Sequence, residues 1–388
     1  MPVINVNISP DILTWVLSQA QREKLGDKLM NNISEWINGT KAPTFNQIEN
    51  LSKKSNIPLG YFFLQSPPEE ILDLLEYRTI DSAELTNPSR NLIDTINNME
   101  DVQDWMRNYR EDLGYEPLVF VGSLKDNTDV MTSAQIMRNH IGLSCDWYEK
   151  CTDSRTAFNY IRGLLEKCGI IVMMNGIVGN NTHRALDIKE FRGFAMVDKW
   201  APLIFINAAD SQGGRLFSLL HEMTHIWLGE DDLYNLHYQR DGSVRSVEII
   251  CNAIAGEVLV PNQIFFEKWN KIAGIFSIAD SISELATTFH CSEIVIARKA
   301  LDNRMITQQT YDQISRKAAD NYKETKSSRQ QGGNYYRNMA SRLDGCFVRA
   351  LCESINMGRT SYTEAYRLTN TSRKTFSDVA QSLGGIEW

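Results

Sequence analysis

Apolar positions recur at helical spacing along most of the chain. From Pro10 to Ala20, the residues Ile12, Leu13, Val16 and Leu17 make one stripe. Lys28 to Trp36 is a second short helical stretch closed by Gly39, and Pro43 is expected to open a third, in which Phe45, Ile48 and Leu51 recur. Pro58 to Leu64 is a last, very apolar turn. From Leu92 to Leu113, Ile93, Ile96, Met99, Val102, Trp105, Met106 and Tyr109 are spaced mostly by three and four, which predicts one long connecting helix stopped by Gly114. A further helix is expected over Cys151 to Lys167.

The pattern then changes. Gly169–Met174 is a short β-branched run bounded by Gly and Asn, and 191–197 and 202–207 are two more strand-like runs, joined by 198–201 as a hairpin connection. Helical spacing returns over Leu216 to Leu228, Val247 to Glu257, Phe265 to Ala273, Ser277 to Phe289 and Ser292 to Asn303. The stretch 321–334, rich in Lys, Ser, Arg, Gln and Gly, is expected to be a polar linker. In 335–388, Phe347, Leu351 and Ile355 mark a helix, Ser361 is placed to cap the next one, and Thr375 to Leu383 follows a turn. The expected fold class is α+β and mostly helical. The expected parts are a helical bundle at 1–66, a connecting region at 67–150, a body with a small sheet at 151–320, the linker, and a helix-turn-helix-like helical end at 335–388, read as a docking element or a DNA contact.

Length and composition narrow this little further. A chain of 388 residues, 43% hydrophobic and 23% charged, fits two or three globular domains. Apolar runs such as Gly169–Met174 and Val258–Pro261 fall far short of the ~20 residues that a membrane helix needs, and no secretory signal is visible. Seven cysteines without a CxxC pair suit a reducing cytoplasm. Charge is uneven: residues 1–66 carry a net +1, 67–300 a net −13 and 301–388 a net +4. An acidic body does not favour nucleic acid, so any DNA contact is expected from the ends.

The chemistry is concentrated in His221-Glu222-Met223-Thr224-His225. Two histidines at i and i+4 share a helix face about 6 Å apart and can chelate one zinc ion, while Glu222 between them can take a proton from water. A catalytic zinc site wants a third protein ligand and an open fourth position. Glu248, on the expected second helix, is placed for this. Asn252, one turn on, could hold a ligating histidine by hydrogen bond. Glu257 lies about 2.5 turns beyond Glu248 and faces another side. Tyr234, His237 and Tyr238, between the two helices, are candidate donors to an oxyanion. The strand-like run 191–197 is the best candidate edge for a substrate peptide. His140, His183 and His290 read as structural or solvated.

Two resemblances attach to these residues. Glu35–Gly39, Lys41–Phe45, Gln47, Leu51 and Pro58–Leu64 resemble the Xre-type helix-turn-helix, although Pro10 to Trp36 is shorter than that family's usual stretch. The resemblance implies DNA contact through Lys28, Asn31, Asn32 and Ser34. The runs Phe191–Phe194, Pro202–Asn207, Phe217–Trp227, Glu248, Cys251–Ala253 and Ala255–Pro261 resemble the ImmA/IrrE metallopeptidases, with Cys251 where the family pattern has alanine. This implies a gluzincin-like site of two His, one Glu and a water. It also implies a regulatory peptidase whose substrate is a specific protein partner such as a repressor. The alternative it leaves open is a DNA-binding antitoxin that neutralises a cognate toxin, such as a PIN-like nuclease, with a structural or sensory metal. The oligomeric state stays open.

Overall fold

The computed structural model describes the chain apart from residues 1–3, 21–24, 69–75, 78–87, 126, 128, 230–242, 273, 329–334 and 385–388. It is mostly helical with one small sheet, as the pattern predicts. The chain divides into two compact units, Met1–Asp73 with Thr86–Ile96, and Leu74–Leu85 with Asn97–Trp388.

The first unit is built on helices Pro10–Gln19, Asp27–Ile37 and Phe45–Ser55 and a 3-10 turn at Leu59–Phe63. Ile12, Leu13, Val16, Leu29, Ile33, Trp36, Ile48, Leu51 and Phe62 fill its core. The third helix starts two residues later than Pro43 suggests, because Thr44 and Gln47 form a reciprocal capping box that fixes the first turn at Phe45. Asn56 ends that helix in a left-handed conformation. Of the residues expected to meet DNA, Lys28, Asn31 and Ser34 are exposed on the Asp27–Ile37 helix and Asn32 is half-buried.

The second unit carries a sheet in the order β1-β3-β4-β2, with β1 Glu76–Tyr77, β2 Ile171–Asn175, β3 Gly193–Met196 and β4 Leu203–Asn207. β3 and β4 form the expected antiparallel hairpin, with Phe194 opposite Phe205, and β2 runs parallel to β4. The buried strands pack against helix Gln212–Leu228, which packs in turn on helix Ser243–Leu259. Helix Val130–Ile141 covers the far side of the latter, and buried Arg138 donates to Val258 O and Ser144 O. Phe120, Leu124, Ala134, Met137 and Trp147 join the same hydrophobic cluster as the strands, so packing shows no break at 150. Among the described residues no single helix is long and apolar enough to cross a membrane.

The long helix runs from Arg90 to Asp112 and does more than connect. Gln103 Nε2 donates to Met196 O (2.9 Å) and Ala201 O (3.0 Å), and Arg107 Nε pairs with Asp198 at 2.7 Å, so this helix clamps the β3–β4 turn. The same helix holds the C-terminal helices through Trp105 Nε1 to Thr360 Oγ1 (3.2 Å), Tyr109 Oη to Glu353 (2.8 Å) and the Asp101–Arg367 pair. A helix Gln308–Ser328 replaces the first eight residues of the expected linker. The polar composition of 321–328 marks no break in that helix.

Helices Gly345–Asn356, Tyr362–Thr369 and Arg373–Val379 follow helix Tyr335–Arg342, which packs on β2, and Leu343 and Asp344 between them meet the outer edge of β2. Fully buried Asp344 accepts from Val172 N (2.9 Å) and caps its own helix through Phe347 N (2.7 Å). Arg162 donates to Val172 O and to Leu343 O, and pairs with Glu166 at 2.8 Å. The free edge of β2 is thereby satisfied by side chains. Asp344→Ala strands two buried N–H groups and should cost roughly 2–4 kcal/mol in chemical denaturation.

Burial pushes the Glu166 carboxyl up, to about 7, and Asp344 adds to this while Arg162 opposes it. A raised carboxyl gives its full stability below its unfolded value and loses it as pH rises through the folded one. Unfolding temperature should therefore fall between pH 5 and pH 8 more in the wild type than in Glu166→Gln; equal slopes would remove Glu166 from the pH response.

Candidate metal centre

Helix Gln212–Leu228 is fixed at both ends before it presents any ligand. Ser211 caps its start by accepting from Gly214 N at 3.0 Å. Gly214 lies against the Asp210 carboxylate, where a Cβ would sit 2.5 Å from Oδ2, so only glycine fits. Asp210 is itself buried and paired with Arg192 at 2.9 Å. At the other end Ile226 O and Trp227 O accept from Gly122 N (3.0 Å) and Leu124 N (2.9 Å), which satisfies the carbonyls that a helix terminus leaves open. Phe120 stacks on Trp227 with ring centroids 4.4 Å apart, and His140 packs against both.

Between these anchors His221 and His225 are fully buried, one turn apart. Their Nε2 atoms lie 3.0 Å from each other. Glu248 comes from the neighbouring helix, with Oε2 3.3 Å from His221 Nε2 and Oε1 3.3 Å from His225 Nε2. Among the described residues this is the one group of three such side chains whose ligand atoms converge. Four-coordinate zinc bonds of about 2.0–2.1 Å place neighbouring ligand atoms about 3.3 Å apart, so the two-nitrogen, one-oxygen set fits one such ion. Burial would raise the Glu248 carboxyl, but its bonds to His221 and His225 outweigh this and hold it well below the usual carboxylate range.

Glu222 is buried between the two histidines and faces β3. A Cβ at Gly193 would lie 3.2 Å from both Glu222 Cγ and Oε1, and 2.9 Å from Phe205 O. Gly193 is the residue that sequence reasoning passed over; the only signal was its place in the Arg192-Gly193-Phe194 run. Gly193→Ala should cost roughly 1–3 kcal/mol by overpacking, with metal content unchanged because no ligand moves. Thermal unfolding and elemental analysis on one preparation would check both halves.

Other expected residues fall differently. Asn252 is half-buried and its Oδ1 has no hydrogen-bond partner; the group next to the His225 ring is Cys251, with Sγ 3.6 Å from Nδ1. The reason is one helical step: Cys251 follows Glu248 by three residues and faces the first helix, where it is fully buried. Glu257 is turned away from the ligands and forms a buried pair with Lys299. Tyr234, His237 and Tyr238 lie outside the described residues. His140 sits on a helix and not in a loop, His183 is exposed, and His290 bonds Tyr148 O at 2.9 Å. The run 191–197 is not an open edge, because β1 pairs with β3.

Residues 166–301 match the peptidase M78 family model, described as the IrrE N-terminal-like domain. The matched stretch contains β2, β3 and β4, His221, Glu222, His225 and Glu248. This part of the chain is thus similar to a metallopeptidase-type regulatory domain. Residues 343–382, the docked C-terminal helices, match a domain of unknown function (DUF8813). No curated protein matches the chain.

Proposed function

We propose that the second unit is a zinc-dependent regulatory endopeptidase acting on a specific protein partner such as a repressor. The observation that carries this reading is the convergence of His221 Nε2, His225 Nε2 and the Glu248 carboxylate within 3.0–3.3 Å, with a buried Glu222 between the histidines. His221, His225 and Glu248 would hold the ion. Zinc there would supply a Lewis acid and lower the pKa of a water towards 7. Glu222 takes the proton from the attacking water at its carboxylate and returns it to the leaving amine. Gly193 leaves Glu222 room to lie against β3.

Elemental analysis of the wild type beside His221→Ala tests the reading. About one zinc per chain, lost in the variant, is the expected result. A folded wild type without metal would overturn it.

A second arm concerns DNA. Lys28, Asn31 and Ser34 share the exposed side of the Asp27–Ile37 helix in a compact helical unit, which supports a helix-turn-helix role and with it the antitoxin or repressor reading. The C-terminal helices favour docking, because Arg342, Arg349 and Arg367 bond within the chain. Binding to the DNA upstream of the protein's own reading frame should weaken steeply with salt and be lost in Lys28→Ala/Asn31→Ala. A salt-independent shift, or none, would reduce the first unit to a protein-interaction module.

A further inference from the structure

The ladder decides which backbone groups of β3 face outward. Asn207 N donates to Arg192 O at 2.8 Å, and Gly193 stands opposite Ile206. In an antiparallel pair directly opposed residues alternate between bonded and non-bonded. Phe194 and Met196 therefore bond to β4, and the peptide groups of Gly193 and Ala195 point to the other side. Those groups mark the edge nearest the chemistry, since a Cβ at Gly193 would lie 3.2 Å from Glu222 Oε1. On that edge lies β1, antiparallel, with Glu76 opposite Ala195 and Tyr77 opposite Phe194. By the same alternation Glu76 and Ala195 exchange both of their backbone bonds.

We infer that strand Glu76–Tyr77 is an intramolecular competitor for the substrate-pairing edge, so that an extended peptide must displace it to reach Glu222. The inference rests on the peptidase reading above for the identity of the edge. The occupation of that edge by the chain itself does not depend on metal or on cleavage. Two features support a competitor over a mere structural strand. Among the described residues the pairing covers Glu76 and Tyr77, a small area to displace. The described register also reaches Phe194, one residue from Gly193, which places it beside the base. A tethered strand competes at an effective concentration in the millimolar range, enough to exclude weak generic peptides while a partner with more contacts still enters.

The test uses the full chain and a fluorescein-labelled synthetic peptide of residues 71–80. Glu76→Pro removes the N–H that Ala195 O accepts, and Glu76→Ala keeps it. Fluorescence anisotropy should show the peptide binding Glu76→Pro at least about ten-fold more tightly than the wild type or Glu76→Ala, with or without chelator. In the wild type, hydrogen exchange at the Ala195 amide should be slow, which checks the pairing without any variant. Equal affinity across the three proteins, or an Ala195 amide that exchanges as fast as an exposed loop, would overturn the inference while leaving the metal result untouched. A wild type lacking zinc but showing the ten-fold difference would keep the competitor and sink the peptidase.

Discussion

Glu257→Ala should cost the fold roughly 3–5 kcal/mol and leave metal content unchanged, while Glu248→Ala should do the reverse. The two glutamates lie on one helix, Ser243–Leu259, nine residues apart. The structure separates them by what each faces. Glu257 is buried, accepts from Asn262 N at 2.8 Å and pairs with buried Lys299. Burial pulls the Lys299 ammonium down and Glu257 opposes it, so removal of Glu257 leaves an uncompensated charge in the core. Glu248 instead closes the triangle with the two histidines. Its loss should weaken metal binding by more than about 100-fold, since even outer partners of a ligand are worth about 10–100-fold. Denaturation curves and metal titration on the same two variants would decide. A metal loss in Glu257→Ala with an intact fold would mean that the wrong carboxylate has been assigned.

That pair shows how far the sequence reached. The place of Glu248 beside the histidines was legible because helical spacing alone puts Glu248 and Glu257 on opposite sides. The HExxH helix, the hairpin and most helices were legible for the same reason: their apolar period is local. What escaped was nonlocal. β1, described at Glu76 and Tyr77, carries no pattern of its own, and the outward peptide groups of Ala195 give it a partner. Asp344 caps its own helix, but its second oxygen serves Val172, far away in sequence. Residues 321–328 read as linker because a polar helix end and a polar linker have the same composition. Cys251 and Asn252 differ by a single 100° step, finer than spacing from an uncertain helix start resolves.

Glu222→Gln should abolish peptide hydrolysis, by at least about 10²–10⁴-fold, and keep the metal. Glutamine has the size of glutamate, so the contact with Gly193 is kept and β3 is not pushed away. None of the three ligands is altered, so metal content should equal that of the wild type. An amide cannot accept the proton of water at neutral pH, and this is the only function the substitution removes. Stability supplies a second discriminator. Glu222 is buried, and a carboxylate costs more to bury than an amide, so the unfolding temperature should stay level or rise. Residues held for chemistry against the interest of the fold behave in this way. Digestion of a degenerate peptide library, read by mass spectrometry with Glu76→Pro in both backgrounds to free the β3 edge, provides the assay. Cleavage that survives in Glu222→Gln would remove Glu222 as the base. Loss of cleavage together with a lower unfolding temperature would assign Glu222 to the structure of the site and not to its chemistry.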